Sequence, residues 1–196
     1  MKTEIEVKFC QVDMDDVRSR LGEAGATLVQ PMRVMRRQVF YLVDRTKDAY
    51  LRVRDEGDKA TMTYKEFDGA NGLHSAQEIE IVVSSFEDAI AIQKQAGLVP
   101  KSYQETRRET WHMTDGTEVV IDEWPWLKPF IEIEGESEVA VRTTAAALGF
   151  DWSQAVFGAA TEAYRQQYNY LPKDFIMDDV AEIKFELPLP ERLQEK

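Results

Sequence analysis

The chain has 196 residues, 43% of them hydrophobic and 31% charged, with a formal charge of −12. That mixture reads as a soluble globular protein of one-domain length, not a disordered one. The acidic excess argues against a non-specific nucleic-acid binder, although a local cluster of cations can still hold a small anion against the net charge.

Cys10 is the only cysteine, which excludes an intrachain disulfide and a cysteine-based zinc site. His74 and His112 are the only histidines, and neither has a metal-ligand neighbour in sequence. No apolar run approaches the ~20 residues of a membrane span. Met1-Lys2-Thr3-Glu4 lacks the apolar region of a signal peptide, so a cytoplasmic location and no membrane partner are expected. No P-loop, dinucleotide fingerprint or nucleophile elbow occurs.

Residues 4–10 alternate with period two and predict a strand, with Glu4, Glu6 and Lys8 on one face and Ile5, Val7 and Phe9 on the other. Asp13 is a candidate N-cap for a helix carrying Val17, Leu21 and Ala24, which Gly25 ends. Residues 34–44 and 50–54 predict strands, and Asp55-Glu56-Gly57-Asp58 a hairpin turn into a strand over 60–66. Residues 68–72 predict a loop, 76–84 a strand and 86–96 a helix. Strands are expected over 101–112 and 117–124 around Asp115-Gly116, then over 130–134 after a connector. Helices are expected over 138–148 and 154–170, and the tail after Pro172 is ambiguous. This order of elements predicts an antiparallel α+β domain of about eight strands.

One charged face on one strand is ordinarily a solvated face. Here the pattern recurs. Glu4 and Glu6, Glu78 and Glu80, and Glu132 and Glu134 occupy alternate positions, with Asp122 on the strand before the last pair. Arg52 with Arg54, Lys65, and Arg107-Arg108 repeat the pattern with opposite sign. Strands that close into a barrel would turn these faces inward around a small ligand. Carboxylates suit a hard divalent cation, and Arg and Lys suit phosphate. An open solvated sheet with helices on its apolar faces is the alternative.

Beyond this, the residues resemble the CYTH, or triphosphate tunnel metalloenzyme, family. Glu4-Ile5-Glu6-Val7-Lys8 is similar to its E-x-E-x-K signature, and Gln38, Tyr41 and Asp44 to its second strand. Leu51-Arg52-Val53-Arg54, Thr63-Tyr64-Lys65, Glu78-Ile79-Glu80, Arg108-Glu109-Thr110-Trp111, Asp122 with Phe130-Ile131-Glu132-Ile133-Glu134, and Tyr164 follow in the family's order over about residues 2–170. Two departures stand out. Thr106-Arg107-Arg108 lacks the lysine of the family's K-x-R strand, and Leu127-Lys128-Pro129 replaces its L-G turn.

The resemblance implies an eight-stranded closed antiparallel barrel over residues 1–170, with 171–196 an extension of uncertain structure. It implies a triphosphate substrate held with Mg²⁺ or Mn²⁺. Glu4, Glu6, Glu132 and Glu134 are the candidate metal ligands. Glu78, Glu80 and Asp122 either complete metal sites or pair with neighbouring cations. Lys8, Arg52, Arg54, Lys65 and Arg108 are the candidate triphosphate ligands, with one contact expected from Arg36 or Arg37. Lys8, Lys65 and Tyr164 are the candidate catalytic residues, although Tyr164, four residues from Tyr168, also suits plain packing. Hydrolysis of a triphosphate is the expected reaction. Cyclisation of ATP to cyclic AMP, as in class IV adenylyl cyclases, is the alternative, and a silent polyphosphate-binding module a third. A homodimer is left open, with the tail as a candidate interface element.

Overall fold

The computed structural model describes residues 1–67, 73 and 76–195. The loop expected at 68–72 and His74 lie outside the described residues. Among the described residues, ten strands and four α-helices follow in order: β1 (Lys2–Glu4), β2 (Glu6–Cys10), α1 (Met14–Glu23), β3 (Thr27–Tyr41), β4 (Ala49–Asp55), β5 (Ala60–Phe67), β6 (Ala76–Val83), α2 (Phe86–Gln95), β7 (Val99–His112), β8 (Glu118–Glu123), β9 (Phe130–Glu134), α3 (Glu138–Ala147), α4 (Ala160–Gln167) and β10 (Glu182–Ile183).

Local chemistry sets the helix starts. The Asp13 carboxylate accepts from the backbone N–H groups of Asp15 and Asp16. Ser85 and Ser137 cap α2 and α3 in the same way, accepting from Asp88 and Ala140. Gly25, at φ 75°, supplies the left-handed turn that ends α1.

Hydrogen-bonded strands run in the order β1-β6-β5-β4-β3-β7-β8-β9-β2, all antiparallel, and β10 adds to β7 in parallel. The expected eight-stranded closed barrel is therefore corrected. The sheet has ten strands and its hydrogen-bonded path is open. Its two ends, β1 and β2, are consecutive pieces of one N-terminal stretch interrupted at Ile5. The Ile5 carbonyl accepts from Gly135 at 3.1 Å. The remaining edge of β2 is occupied by Val156, which exchanges both backbone hydrogen bonds with Lys8 at 2.9 Å.

The apolar faces point outward and are covered by helices. Val7 and Phe9 of β2, Val119 and Ile121 of β8, and Ile131 and Ile133 of β9 pack against Val17 and Leu21 of α1 and Val141 and Ala145 of α3. Phe40 and Val53 pack against Phe86 and Ala89 of α2 in a second cluster. Burial of this apolar area holds the helices against the sheet. Period-two alternation then turns the opposite, charged faces toward one another.

The helix expected over 154–170 shortens to α4. Residues 152–154 form a 3₁₀ turn, Val156 is tied to β2, and Gly158 sits at φ 95°. The tail is anchored on its own sheet. Phe175, Met177, Val180, Ile183 and Leu193 form a buried cluster with Trp124, Phe130 and Tyr164. Ser102 Oγ donates to the Val180 carbonyl at 2.6 Å, and Trp126 Nε1 to that of Leu187 at 2.9 Å. The connector that departs from the family pattern turns at Trp126, whose φ of 63° is left-handed. Gln167 Nε2 and the Tyr168 hydroxyl hold that turn by donating to the Trp126 carbonyl.

Candidate functional site

The inward faces enclose one cavity of about 490 Å³. Carboxylates come to its wall from β1, β2, β6 and β9: Glu4, Glu6, Glu78, Glu80, Glu132 and Glu134. Arginines come mainly from the strands in the middle of the path: Arg33 and Arg37 from β3, Arg52 and Arg54 from β4, Arg108 from β7. Lys8 and Lys65 stand among the carboxylates.

Register explains the grouping. Lys8 lies opposite Glu132 and Arg108 opposite Asp122, so these are favourable cross-strand pairs. Glu6 and Glu118 both lie opposite Glu134, and Arg37 lies opposite Arg54. Like charges facing across strands oppose folding unless something of the other sign joins them.

Glu132 is the hub of the paired set. Its carboxylate meets Lys8 Nζ at 3.3 Å and Arg108 at 2.8 Å. Lys8 also donates to Glu6 at 2.9 Å and is 2% exposed. Arg108 forks onto Asp122 at 2.7 and 2.6 Å, a bidentate pair. Burial opposes ionisation of Glu132, but Lys8, Arg108 and Lys65 outweigh it and hold the carboxyl well below the usual range. Burial likewise pushes Lys8 down, and Glu132 with Glu6 pushes it further up, so its ammonium stays charged.

On the β1 side, Lys65 pairs with Glu4. Burial and the adjoining Glu4 carboxylate raise the Glu78 carboxyl to about 7. Between the ordinary glutamate value of roughly 4.3 and that point, the folded state keeps a proton that the unfolded chain has lost, so stability falls as pH rises. Glu78→Gln is expected to remove that fall. The variant should melt with wild type at pH 4 and above it at pH 8, measured by thermal denaturation at both.

Arg52 donates to Thr63 at 3.2 Å and faces Glu80 at 3.7 Å. Arg54 pairs with Glu56 at 2.7 Å. Burial and the neighbouring Arg52 lower Arg54, while for Arg52 burial is outweighed by Tyr50 and Glu80, with a net rise.

The structure thus brings the sequence-derived candidates around one cavity, with Asp122, Tyr164 and Arg36 excepted. Asp122 is 1% exposed, and it serves Arg108 instead of lining the cavity. Tyr164 is fully buried in the tail cluster, and its hydroxyl donates to the Pro125 carbonyl at 2.7 Å. That bond and its stacking on Tyr168 make it a packing residue, outside the cavity lining. Arg36 points away, to Asp55 and Glu87. Sequence reasoning missed Glu56, read as part of a turn, and Gln104, Arg33 and Trp124, which also line the cavity. Arg33 sits four residues before Arg37 on β3, a spacing visible in sequence. The pairing with β7 is unbroken from Arg33 to Arg37, so strand alternation alone puts the two on one face.

A divalent metal finds the right donor chemistry here, since the candidate ligands are carboxylate oxygens alone. Among the described residues, no three Asp, Glu, His or Cys side chains converge closely enough to hold one. Instead Lys8 and Lys65 neutralise Glu6, Glu132 and Glu4. The residues fit such an ion by type and by their like-charge register.

Among solved structures, the PH1012 protein of Pyrococcus horikoshii OT3 is similar at a TM-score of 0.67 and 23% identity, over 82% of this chain and 98% of its own. A Vibrio parahaemolyticus protein provisionally assigned as an adenylate cyclase is similar at 0.67 and 10% identity, over 83% and 97%. HpAC1 from Hippeastrum, for which a dominant triphosphatase activity is reported, is similar at 0.56 and 13%, over 87% and 98%. These likenesses establish the fold. No curated protein matches the chain. The CYTH domain matches residues 2–151, three quarters of the sequence, and the chain belongs to the CYTH-domain family.

Proposed function

We propose that the cavity binds a triphosphate together with Mg²⁺ or Mn²⁺ and hydrolyses it. The observation that carries this reading is one cavity lined both by clustered arginines and by clustered carboxylates, several of them paired with one another. A polyanion satisfies the first group and a divalent cation the second. Glu6, Glu132 and Glu134 would hold the cation, with Glu4 and Glu80 beside them, and Glu78 once it has lost its proton. When bound, it would neutralise charge on the phosphate oxygens.

The chain's own residues supply the rest. Arg52, Arg54 and Arg108 fix the phosphates, and Lys8 and Lys65 place positive charge among the carboxylates. Phosphoryl transfer needs positioning and charge stabilisation more than covalent help from the protein. Water attacks the terminal phosphorus, the bond to the bridging oxygen breaks, and a diphosphate leaves against the arginines. The activity reported for the Hippeastrum relative supports hydrolysis.

Cyclisation of ATP is the second reading. It is favoured by Tyr50 and Phe67, whose rings lie 6.2 Å apart and line the cavity where a base could rest. ³¹P NMR of the products from tripolyphosphate, thiamine triphosphate and ATP separates the readings. Orthophosphate and a diphosphate are expected, and pyrophosphate with cyclic AMP would establish the cyclase. No turnover of any of the three would leave a binding module.

Lys65→Ala is expected to weaken tripolyphosphate binding about tenfold or more, a loss of roughly 1.4 kcal/mol. Orthophosphate should lose less, because it does not span the cavity. Equal losses in calorimetric titrations would place Lys65 outside the triphosphate cradle.

A further inference from the structure

We infer that Arg37 is a phosphate-binding residue of the cavity, supplying from β3 the cationic contact that Thr106 on β7 lacks. This rests on the triphosphate reading above and deepens it: of Arg36 and Arg37, one of which was expected to contact phosphate, only Arg37 lines the cavity. Thr106 is fully buried, at the position where the resemblance leads one to expect lysine. The Arg37 guanidinium lies against it, donating to Thr106 Oγ1 at 3.0 Å. A cation has thus reached the same place from the neighbouring strand.

Its surroundings fit a ligand contact better than a structural one. Arg37 is 6% exposed, yet among the described residues no carboxylate lies within ion-pair distance of it. Lys8, Arg52, Arg54, Lys65 and Arg108 all have one. Arg37 Nε is buried without a hydrogen-bond partner, and so is Arg52 Nε. A buried charge in that condition is costly unless something pairs with it. Trp124 fixes the guanidinium from its face at 4.7 Å, which leaves the planar edge oriented.

Burial, with Arg52, Arg54 and Arg108 close by, lowers Arg37 to about 9. It remains charged at pH 7, and an anion among these four arginines would reverse the shift. Arg37 lines the cavity beside Arg52, Arg54 and Arg108, where a guanidinium without a carboxylate partner is suited to a polyphosphate oxygen.

The test is calorimetric titration with tripolyphosphate in the presence of a chelator, which prevents metal-dependent turnover. The proteins are wild type, Arg37→Met, Arg37→Lys and the double variant Arg37→Met/Thr106→Lys, each also melted without ligand. Arg37→Met is expected to bind at least tenfold more weakly and to melt at or above the wild-type temperature, because an unpaired buried charge is gone. Arg37→Lys should fall between, and the double variant should regain much of the lost affinity. Unchanged affinity in Arg37→Met would overturn the inference while leaving the triphosphate reading intact. Failure of Arg37→Met to fold would overturn it by marking Arg37 as structural. No binding by wild type, either in chelator or in a parallel titration with Mg²⁺, would remove the triphosphate reading itself.

Discussion

Glu132→Gln should reduce triphosphate turnover at least a hundredfold, the order expected when one preorganised electrostatic contact is removed. The carboxylate touches no bulk of apolar core. It holds Lys8 and Arg108 in place from β9. The amide keeps the shape and loses the charge, so two cations face each other with less between them. The fold should survive at a cost of about 3 kcal/mol, as when one partner leaves a buried ion pair.

The pH dependence has a definite sign. Because the folded state holds Glu132 below its ordinary range, its contribution is complete above the unfolded glutamate value of roughly 4.3. It is lost as pH falls toward the folded value. Urea unfolding at pH 7 and pH 3 should therefore show a gap between wild type and variant that narrows in acid. Normal turnover with a constant gap would detach Glu132 from the site.

Lys8→Met is the second large effect. Lys8 is 2% exposed and neutralises Glu6 at 2.9 Å and Glu132 at 3.3 Å. Removing the ammonium leaves two largely buried carboxylates together, and a loss of about 3–5 kcal/mol is expected at neutral pH. The backbone exchange with Val156 is untouched, so the defect is electrostatic. Since the folded state raises the lysine, its contribution is complete below the unfolded value of roughly 10.4 and declines as pH rises toward the folded one. Adding Glu132→Gln should recover part of the loss, because the repulsion between Glu6 and Glu132 goes with it. A double-mutant cycle by urea denaturation measures this coupling, and strict additivity would contradict it.

Much of this arrangement was legible in the alternation of single strands. Glu4-Ile5-Glu6-Val7-Lys8 and Phe130-Ile131-Glu132-Ile133-Glu134 each assign charge to one face, and the structure turns those faces inward. Less legible was anything set by register between distant strands. Arg37 is a cavity residue because β3 pairs β4 with Arg37 opposite Arg54. The seven residues between those strands leave that pairing unspecified in sequence. Glu56 read as a turn residue, yet its carboxylate folds back onto Arg54.

Closure was overstated for a local reason. A strand drawn through residues 4–10 hides the interruption at Ile5 and the claim that Val156 makes on the β2 edge. The tail was opaque because its ordering comes from the surface it lands on. Phe175, Met177 and Ile183 have no period of their own and are placed by Trp124, Phe130 and Tyr164. Tyr164, which resembles a family motif in sequence, has its hydroxyl taken up by a backbone carbonyl.

The most direct measurement is a crystal structure of the full chain with tripolyphosphate and Mn²⁺, using the anomalous signal of manganese to place the ion. The account predicts an anomalous peak among Glu6, Glu132 and Glu134, and phosphates against Arg37, Arg52, Arg54 and Arg108. A cavity that stays free of both at saturating ligand, or a triphosphate bound only outside it, would contradict the account.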